Sequence, residues 1–206
     1  MAQTASATLS KGPRFQVSKG LMTVLVSTVV LFVLSVVVAP TSVAPNTLAG
    51  MLPFAALLAI VGLGQMLVIQ QAGIDLSVPG AVSLAAVIVT AYPTGDETKL
   101  LPAVFMAIGA SLAVGLLNGF LIGGLKLNPI IATLGTNALL YGGVMAIGQG
   151  IPRRTTDTLE SIVNTQTLGL PNSVWFALAT LALVVFMLRK TVAGRRFESI
   201  GASAPV

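Results

Sequence analysis

Residues 65–80 read Gln65-Met66-Leu67-Val68-Ile69-Gln70-Gln71-Ala72-Gly73-Ile74-Asp75-Leu76-Ser77-Val78-Pro79-Gly80. An apolar run turns polar, breaks at Gly73, carries one carboxylate and resumes after Ser77. In a soluble protein this would be an ordinary turn. Its flanks argue otherwise, because Leu48–Ile69 before it and Val78–Tyr92 after it hold no charge. The whole chain of 206 residues is 55% hydrophobic and 8% charged, with a mean hydropathy of +0.95. Soluble domains carry roughly a quarter charged residues, so this chain lacks the side chains to coat a water-facing surface. The expected fold is an all-α integral membrane protein with about six transmembrane helices and a helix break near residues 70–79. Barrel strands would alternate in polarity over about ten residues, whereas these apolar runs are continuous.

Working outward, the first 20 residues are polar and small, with Lys11, Arg14 and Lys19, and Leu21–Ala39 is uncharged. A secretory signal has that layout with a shorter apolar part, and proline follows both candidate cleavage sites, so a retained first span is expected. The third run, Val78–Tyr92, is short for a spanning helix, and Tyr92-Pro93-Thr94-Gly95-Asp96-Glu97 closes it as a loop. The fourth run is Leu100–Leu125. Pro129 suits the first turn of a fifth helix ending near Gly148, because its missing N–H breaks no bond there. Residues 149–171 read as a polar loop, and a sixth span runs from Asn172 to Leu188, with Trp175 as an interfacial anchor. Alternating six spans from a cytoplasmic start places Lys11, Arg14, Lys19, Lys126, Arg189, Lys190, Arg195 and Arg196 inside, and only Lys99, Arg153 and Arg154 outside. That asymmetry predicts cytoplasmic termini. The segments are then a cytoplasmic tail (1–20), a partial transmembrane region (21–188) and the start of a cytoplasmic loop (189–206).

Composition also excludes chemistries. The chain has no Cys and no His, which removes thiol and imidazole catalysis and the usual zinc sites. No metal or cofactor is expected. The net charge of +5 reflects few acids, and the cations are scattered, so no nucleic-acid surface is expected. No phosphate-binding G-x-x-x-x-G-K-[ST] loop occurs, so nucleotide energy would have to enter through another chain. No nucleophile–base pair can be drawn, and an enzyme is not expected.

Polar residues within the runs are the candidates for function. Gln65 falls deep in the second run, with Gln70 near its end. Asp75 is either a carboxylate in the pathway or a residue that caps the third helix, a role Ser77 can share. Thr133, Thr136, Asn137 and Tyr141 fall on one face of the fifth helix, where a stripe of hydroxyls and amides must face protein or water. Lining a hydrophilic path and joining two helices are both open readings. Together with Asn118, Gln65, Gln70, Asp75, Thr133, Thr136 and Asn137 are the translocation-pathway candidates. Ser111, Gly115, Gly119 and Gly123 recur at helical spacing and are the candidates for close helix packing. Near the end, Phe197 and Ile200 with Glu198 between them can begin an amphipathic helix lying on a partner.

Four stretches then combine in order: Gly73-Ile74-Asp75-Leu76-Ser77-Val78, Gly115-Leu116-Leu117-Asn118-Gly119, Pro129 to Thr136, and Gly194-Arg195-Arg196-Phe197-Glu198-Ser199-Ile200-Gly201. With them the chain resembles the permease subunits of ribose-type monosaccharide ABC importers. The resemblance implies a dimeric pore, a cytoplasmic ATP-binding subunit, an extracytoplasmic sugar-binding protein and residence in a bacterial inner membrane. It implies that Gly194, Arg195, Arg196, Phe197, Glu198 and Gly201 open the loop that docks on the ATPase. Pro79 and Tyr141 depart from the family pattern, which commonly has glycine and arginine there. The family continues beyond the loop with further spans, so residues 1–206 alone are not expected to transport, and a second permease chain carrying those spans is a candidate partner. The alternatives are a non-transporting membrane interaction subunit, or an ion-coupled carrier using Asp75.

Overall fold

The computed structural model describes residues 18–202. The expected tail therefore lies mostly outside the described residues. The chain is helical almost throughout. It contains α1 (Lys19–Val38), α2 (Pro45–Gln70), α3 (Val78–Ala91), α4 (Leu100–Gly119), α5 (Pro129–Gly148), α6 (Asp157–Asn164), α7 (Asn172–Lys190) and α8 (Val192–Ala202). Five helical segments are long and apolar enough to cross a bilayer, namely α1, α2, α4 with its flanking turns, α5 and α7. The sixth apolar helix, α3, has 14 residues, about 21 Å at 1.5 Å per residue, against a hydrocarbon core of about 30 Å. The six apolar runs are all helices, and α3 by itself is shorter than the core, so a sixth crossing would need the unwound residues 73–77 before it as well.

The chain forms two compact units, residues 1–50 and 51–206. Within the first, α1 begins at Ser18, whose hydroxyl accepts the N–H of Leu21 at 3.2 Å. None of its residues is buried. Such a uniformly exposed apolar helix suits a lipid environment, since water-soluble surfaces rarely carry large apolar patches.

In the second unit α3 packs chiefly on α5 and α4. Most buried positions there are small or polar, including Ala103, Ala107, Ala132, Ser77, Asn118, Thr133 and Thr136, with Leu140 and Leu188 as larger exceptions, while Leu112, Leu116, Ile131 and Leu139 are exposed. This is the arrangement lipid favours: small residues let backbones approach, and polar groups find partners only inside the bundle.

Two features depart from the expected layout. The loop at 149–171 contains its own structure, α6 and an antiparallel pair joining Gln166–Thr167 to Leu170–Pro171. Thr155 Oγ1 donates to the carbonyl of Val89 at 2.8 Å, and Glu97 accepts the Thr158 N–H at 3.0 Å, so this segment is tied to the end of α3 and to the 93–99 turn. The indole of Trp175 donates to the Thr167 carbonyl at 3.0 Å, giving that residue a partner within the hairpin. The fourth run also does not continue as one regular helix. Phe120–Gly124 forms a wider π turn closed by the Leu125 N–H on the Phe120 carbonyl at 3.0 Å. The wider turn rotates Gly123 away from the regular four-residue repeat of Gly115 and Gly119.

Candidate functional site

The centre of the second unit is the break between α2 and α3. Helix α2 ends in a double carbonyl wrap: the Gly73 N–H reaches the Val68 carbonyl at 3.1 Å, and the Ala72 N–H reaches that of Ile69 at 2.9 Å. This closure requires one residue in the left-handed region, and that residue is Ala72 (φ 55°). Gly73 is needed for another reason: a Cβ there would stand 3.1 Å from Val68 Cγ1 and 3.2 Å from the Val68 carbonyl oxygen.

Beyond Gly73 the backbone runs without regular structure to Ser77, leaving donors and acceptors that water would normally satisfy. Side chains from two helices, α2 and α5, take several of them. From α2, Gln65 Nε2 donates to the Asp75 carbonyl at 2.6 Å. From α5, Thr133 Oγ1 accepts the Leu76 N–H at 3.0 Å and donates to its own helix at the Pro129 carbonyl, 2.7 Å away. Also from α5, Asn137 Oδ1 accepts the Gly80 N–H at 2.9 Å. Gly80 sits in the first turn of α3, where N–H groups have no partner within the helix, so α5 supplies the cap that α3 lacks.

The carboxylate of Asp75 turns onto its own chain. Oδ1 accepts the Ser77 N–H at 2.8 Å and the Ser77 hydroxyl at 2.6 Å. That hydroxyl accepts Asn118 Nδ2 from α4 at 2.8 Å, and Asn118 Oδ1 accepts Thr136 Oγ1 from α5 at 2.7 Å. A continuous chain, Thr136–Asn118–Ser77–Asp75, thus joins α5, α4 and the break. Ser77 is 2% exposed and Thr133 0%. Ser77 does not cap through its hydroxyl, since no helix N–H reaches it. It acts instead as the relay between Asn118 and Asp75.

Of the pathway candidates, Gln65, Asp75, Asn118, Thr133, Thr136 and Asn137 come together here, while Gln70 is exposed and stands outside the network. Tyr141, also on the polar face of α5, is 42% exposed and not part of it. The face of the break carries a groove of about 290 Å³, lined by Asp75, Asn118 and Thr133 together with Gly73, Gly115 and Gly119. Gly115 and Ser111 also line a larger, mainly apolar groove of about 500 Å³ against Ala85 of α3. Among the described residues nothing lies within 4 Å of where a Cβ would stand at Gly115, Gly119 or Gly123, so a close-packing partner for this stripe would lie outside them. A glycine that does pack closely against a neighbouring helix is Gly80, where a Cβ would meet Asn137 Oδ1 at 2.6 Å and Leu140 Cβ at 2.9 Å. Its sequence signal was a glycine following proline in a helical first turn.

The last candidates form α8, the amphipathic helix expected from Phe197 and Ile200. The Thr191 hydroxyl accepts the Gly194 N–H at 3.0 Å and starts the helix. Gly194 is buried against the carbonyls of Met187 and Leu188, a position with no room for a side chain. Arg195, Arg196 and Glu198 are exposed, and Phe197 is half-buried. The Phe197 carbonyl accepts Gln71 Nε2 at 2.7 Å. Gln71 lies beside Gln70 at the end of the second run, and nothing local in the sequence singles it out. Among the described residues no cluster of carboxylates could hold a metal.

Comparison with known proteins places this architecture. Residues 47–205 match the family model described as branched-chain amino acid transport system / permease component. The chain is 33% identical over 180 residues to the autoinducer 2 import system permease of Klebsiella pneumoniae, covering 84% of this chain and 50% of the relative. It is 36% identical over 152 residues to the galactofuranose transporter permease of Escherichia coli, covering 71% and 43%. It is 30% identical over 182 residues to the ribose import permease of Escherichia coli, covering 86% and 56%. The chain spans about half the length of the curated relatives it matches. No solved structure matches it. Subunits of this kind are not enzymes, since ATP hydrolysis resides in a separate chain. By the family match over most of its length, and by apolar helices built around a buried polar break, this chain belongs to the permease family of ABC transporters that includes the sugar permeases.

Proposed function

We propose that this chain contributes the solute path of an ATP-driven importer for a small, uncharged, hydroxyl-rich solute of the ribose type. The observation that supports this most is the groove at the break, where Asp75, Asn118 and Thr133 border a cleft floored by the glycines 73, 115 and 119. The groove is mainly apolar with the Asp75 carboxylate at its edge, an acceptor that a solute hydroxyl can meet, which suits a polyol. The glycines leave backbone accessible at the same place.

In this reading α8 faces a cytoplasmic ATPase subunit, a soluble extracytoplasmic protein delivers the solute, and a second permease subunit completes the pore. The N-terminus is cytoplasmic, consistent with the placement of the cations. The names of the relatives, which include ribose, galactofuranose and autoinducer 2 permeases, support a sugar-like substrate class. The chain spans about half the length of these relatives, and the transport proposed here is that of the full-length permease.

Reconstitution tests the reading. The full-length permease, with a candidate ATPase and solute-binding protein from the same genome, is placed in proteoliposomes and uptake of labelled ribose-class sugars is measured. ATP-dependent uptake that falls at least tenfold in Thr133→Val and Asn118→Leu is the expected result. Uptake driven by a proton gradient without ATP would instead support an ion-coupled carrier and overturn the proposal.

A further inference from the structure

We infer that Gln71 is the positioning residue through which movement of α8 reaches the helix break. The inference deepens the reading above and rests on it for the identity of the partner that moves α8. Three observations carry it.

The Gln71 amide bonds to a backbone carbonyl inside α8, at Phe197, 126 residues away in sequence. A carbonyl within a helix moves only when the helix moves, so this bond senses the position of α8 as a body rather than a side-chain rotamer. The helix also has a natural pivot. Gly194 lies hard against the carbonyls of Met187 and Leu188 with no space for a Cβ, and Gln71 grips α8 three residues further on. Arg195, Arg196 and Glu198, exposed around that grip, leave a charged surface for a partner to push or pull.

At its other end Gln71 is coupled to the break without slack. Its own N–H is held by the Val68 carbonyl at 3.0 Å, the next residue is the left-handed Ala72, and Gly73 is wedged against Val68. Two residues later the Asp75 carbonyl is fixed by Gln65, which returns the break to α2. A shift of α8 must either drag this short segment or rupture the Gln71–Phe197 bond. Both outcomes alter the backbone on which Asp75 and Thr133 converge. Gln70, adjacent and exposed, provides an internal control.

The chain contains no cysteine, so Ile74→Cys introduces a single reporter within the break. Ile74 is 47% exposed and lines the groove at the break, so maleimide labelling of its thiol in nanodiscs reports how far water reaches that groove. In that background Gln71→Glu, which keeps shape but removes the donor, is expected to raise the labelling rate roughly fivefold, the population shift one ordinary hydrogen bond supports. Gln71→Leu is expected to do the same, while Gln70→Glu leaves the rate unchanged. Equal rates in the Gln71 and Gln70 variants would overturn the inference.

In a second arm a candidate ATPase subunit from the same genome is added with ATP. Wild type and Gln71→Glu are expected to retain the ATPase equally on pull-down, yet ATP should change reporter labelling in the wild type and less than half as much in Gln71→Glu. An equal response in both also overturns the link. If the wild type does not retain the ATPase, the docking reading fails by itself, and the first arm still decides whether Gln71 couples α8 to the break.

Discussion

Asn118 donates to the hydroxyl of Ser77 at 2.8 Å, so a side chain of α4 reaches into the break rather than out to lipid. The same amide accepts from Thr136, which makes Asn118 the joint between α4, α5 and the unwound segment. Buried in a lipid-embedded bundle, neither Asn118 nor Ser77 has water to fall back on.

Asn118→Leu removes both bonds at once and leaves the buried Ser77 hydroxyl bonded to Asp75 alone. Leaving such a group with one fewer partner costs about 1–3 kcal/mol. Thr136→Val is expected to cost less, because the lost hydroxyl leaves only Asn118 Oδ1 unmet. The double variant should be less destabilised than the sum of the two. Thermal unfolding in nanodiscs checks this, and strict additivity would show that the two residues do not act as one network.

Asp75 separates charge from geometry. Asn at this position retains an acceptor for the Ser77 N–H and hydroxyl, so Asp75→Asn should fold and assemble, losing only the extra strength of a charged acceptor. Asp75→Ala removes the acceptor and should unfold at clearly lower temperature, by about 2–3 kcal/mol for two bonds. Transport measured in the Asn variant then decides the role of the charge: preserved activity marks Asp75 as architectural, and loss with intact assembly places its charge in the pathway.

Two glycines should behave oppositely. Gly80→Ala forces a methyl against Leu140 Cβ and Asn137 Oδ1, so α3 and α5 must separate, at about 1–3 kcal/mol. Gly115→Ala meets open space and should leave the stability of the chain within about 0.5 kcal/mol. A loss of subunit association in Gly115→Ala, with its own unfolding unchanged, would show that this stripe packs against another chain.

At Ala72 a substitution should stabilise. An alanine in the left-handed region carries a penalty of about 1–2 kcal/mol that glycine avoids. Part of this is offset by the greater freedom of glycine in the unfolded chain, so Ala72→Gly is expected to gain about 0.5–1 kcal/mol. A lower unfolding temperature would indicate that the methyl of Ala72 packs usefully in the assembled state.

The helix starts were largely legible from residue order. Pro129 after Asn128 marks the beginning of α5, and the Asn128 carboxamide does accept the Ile130 N–H at 2.9 Å. Helix α3 was legible as a short apolar run, but its cap was not, because the group that satisfies Gly80 comes from Asn137 on another helix. The π turn after Gly119 was also hidden, since Phe120–Gly124 has the composition of any apolar helical turn.

Charge depletion and uninterrupted apolar runs are enough to establish a helical membrane protein broken near Gly73, because a bilayer accepts few other backbones. The partners of the polar residues are a different matter. That Thr133 and Asn137 turn to the backbone of the break, that Gln71 rather than Gln70 reaches α8, and that Ala72 rather than Gly73 takes the left-handed turn follow only from the folded chain. Local sequence sets which groups need hydrogen bonds. Packing between distant helices decides which groups meet.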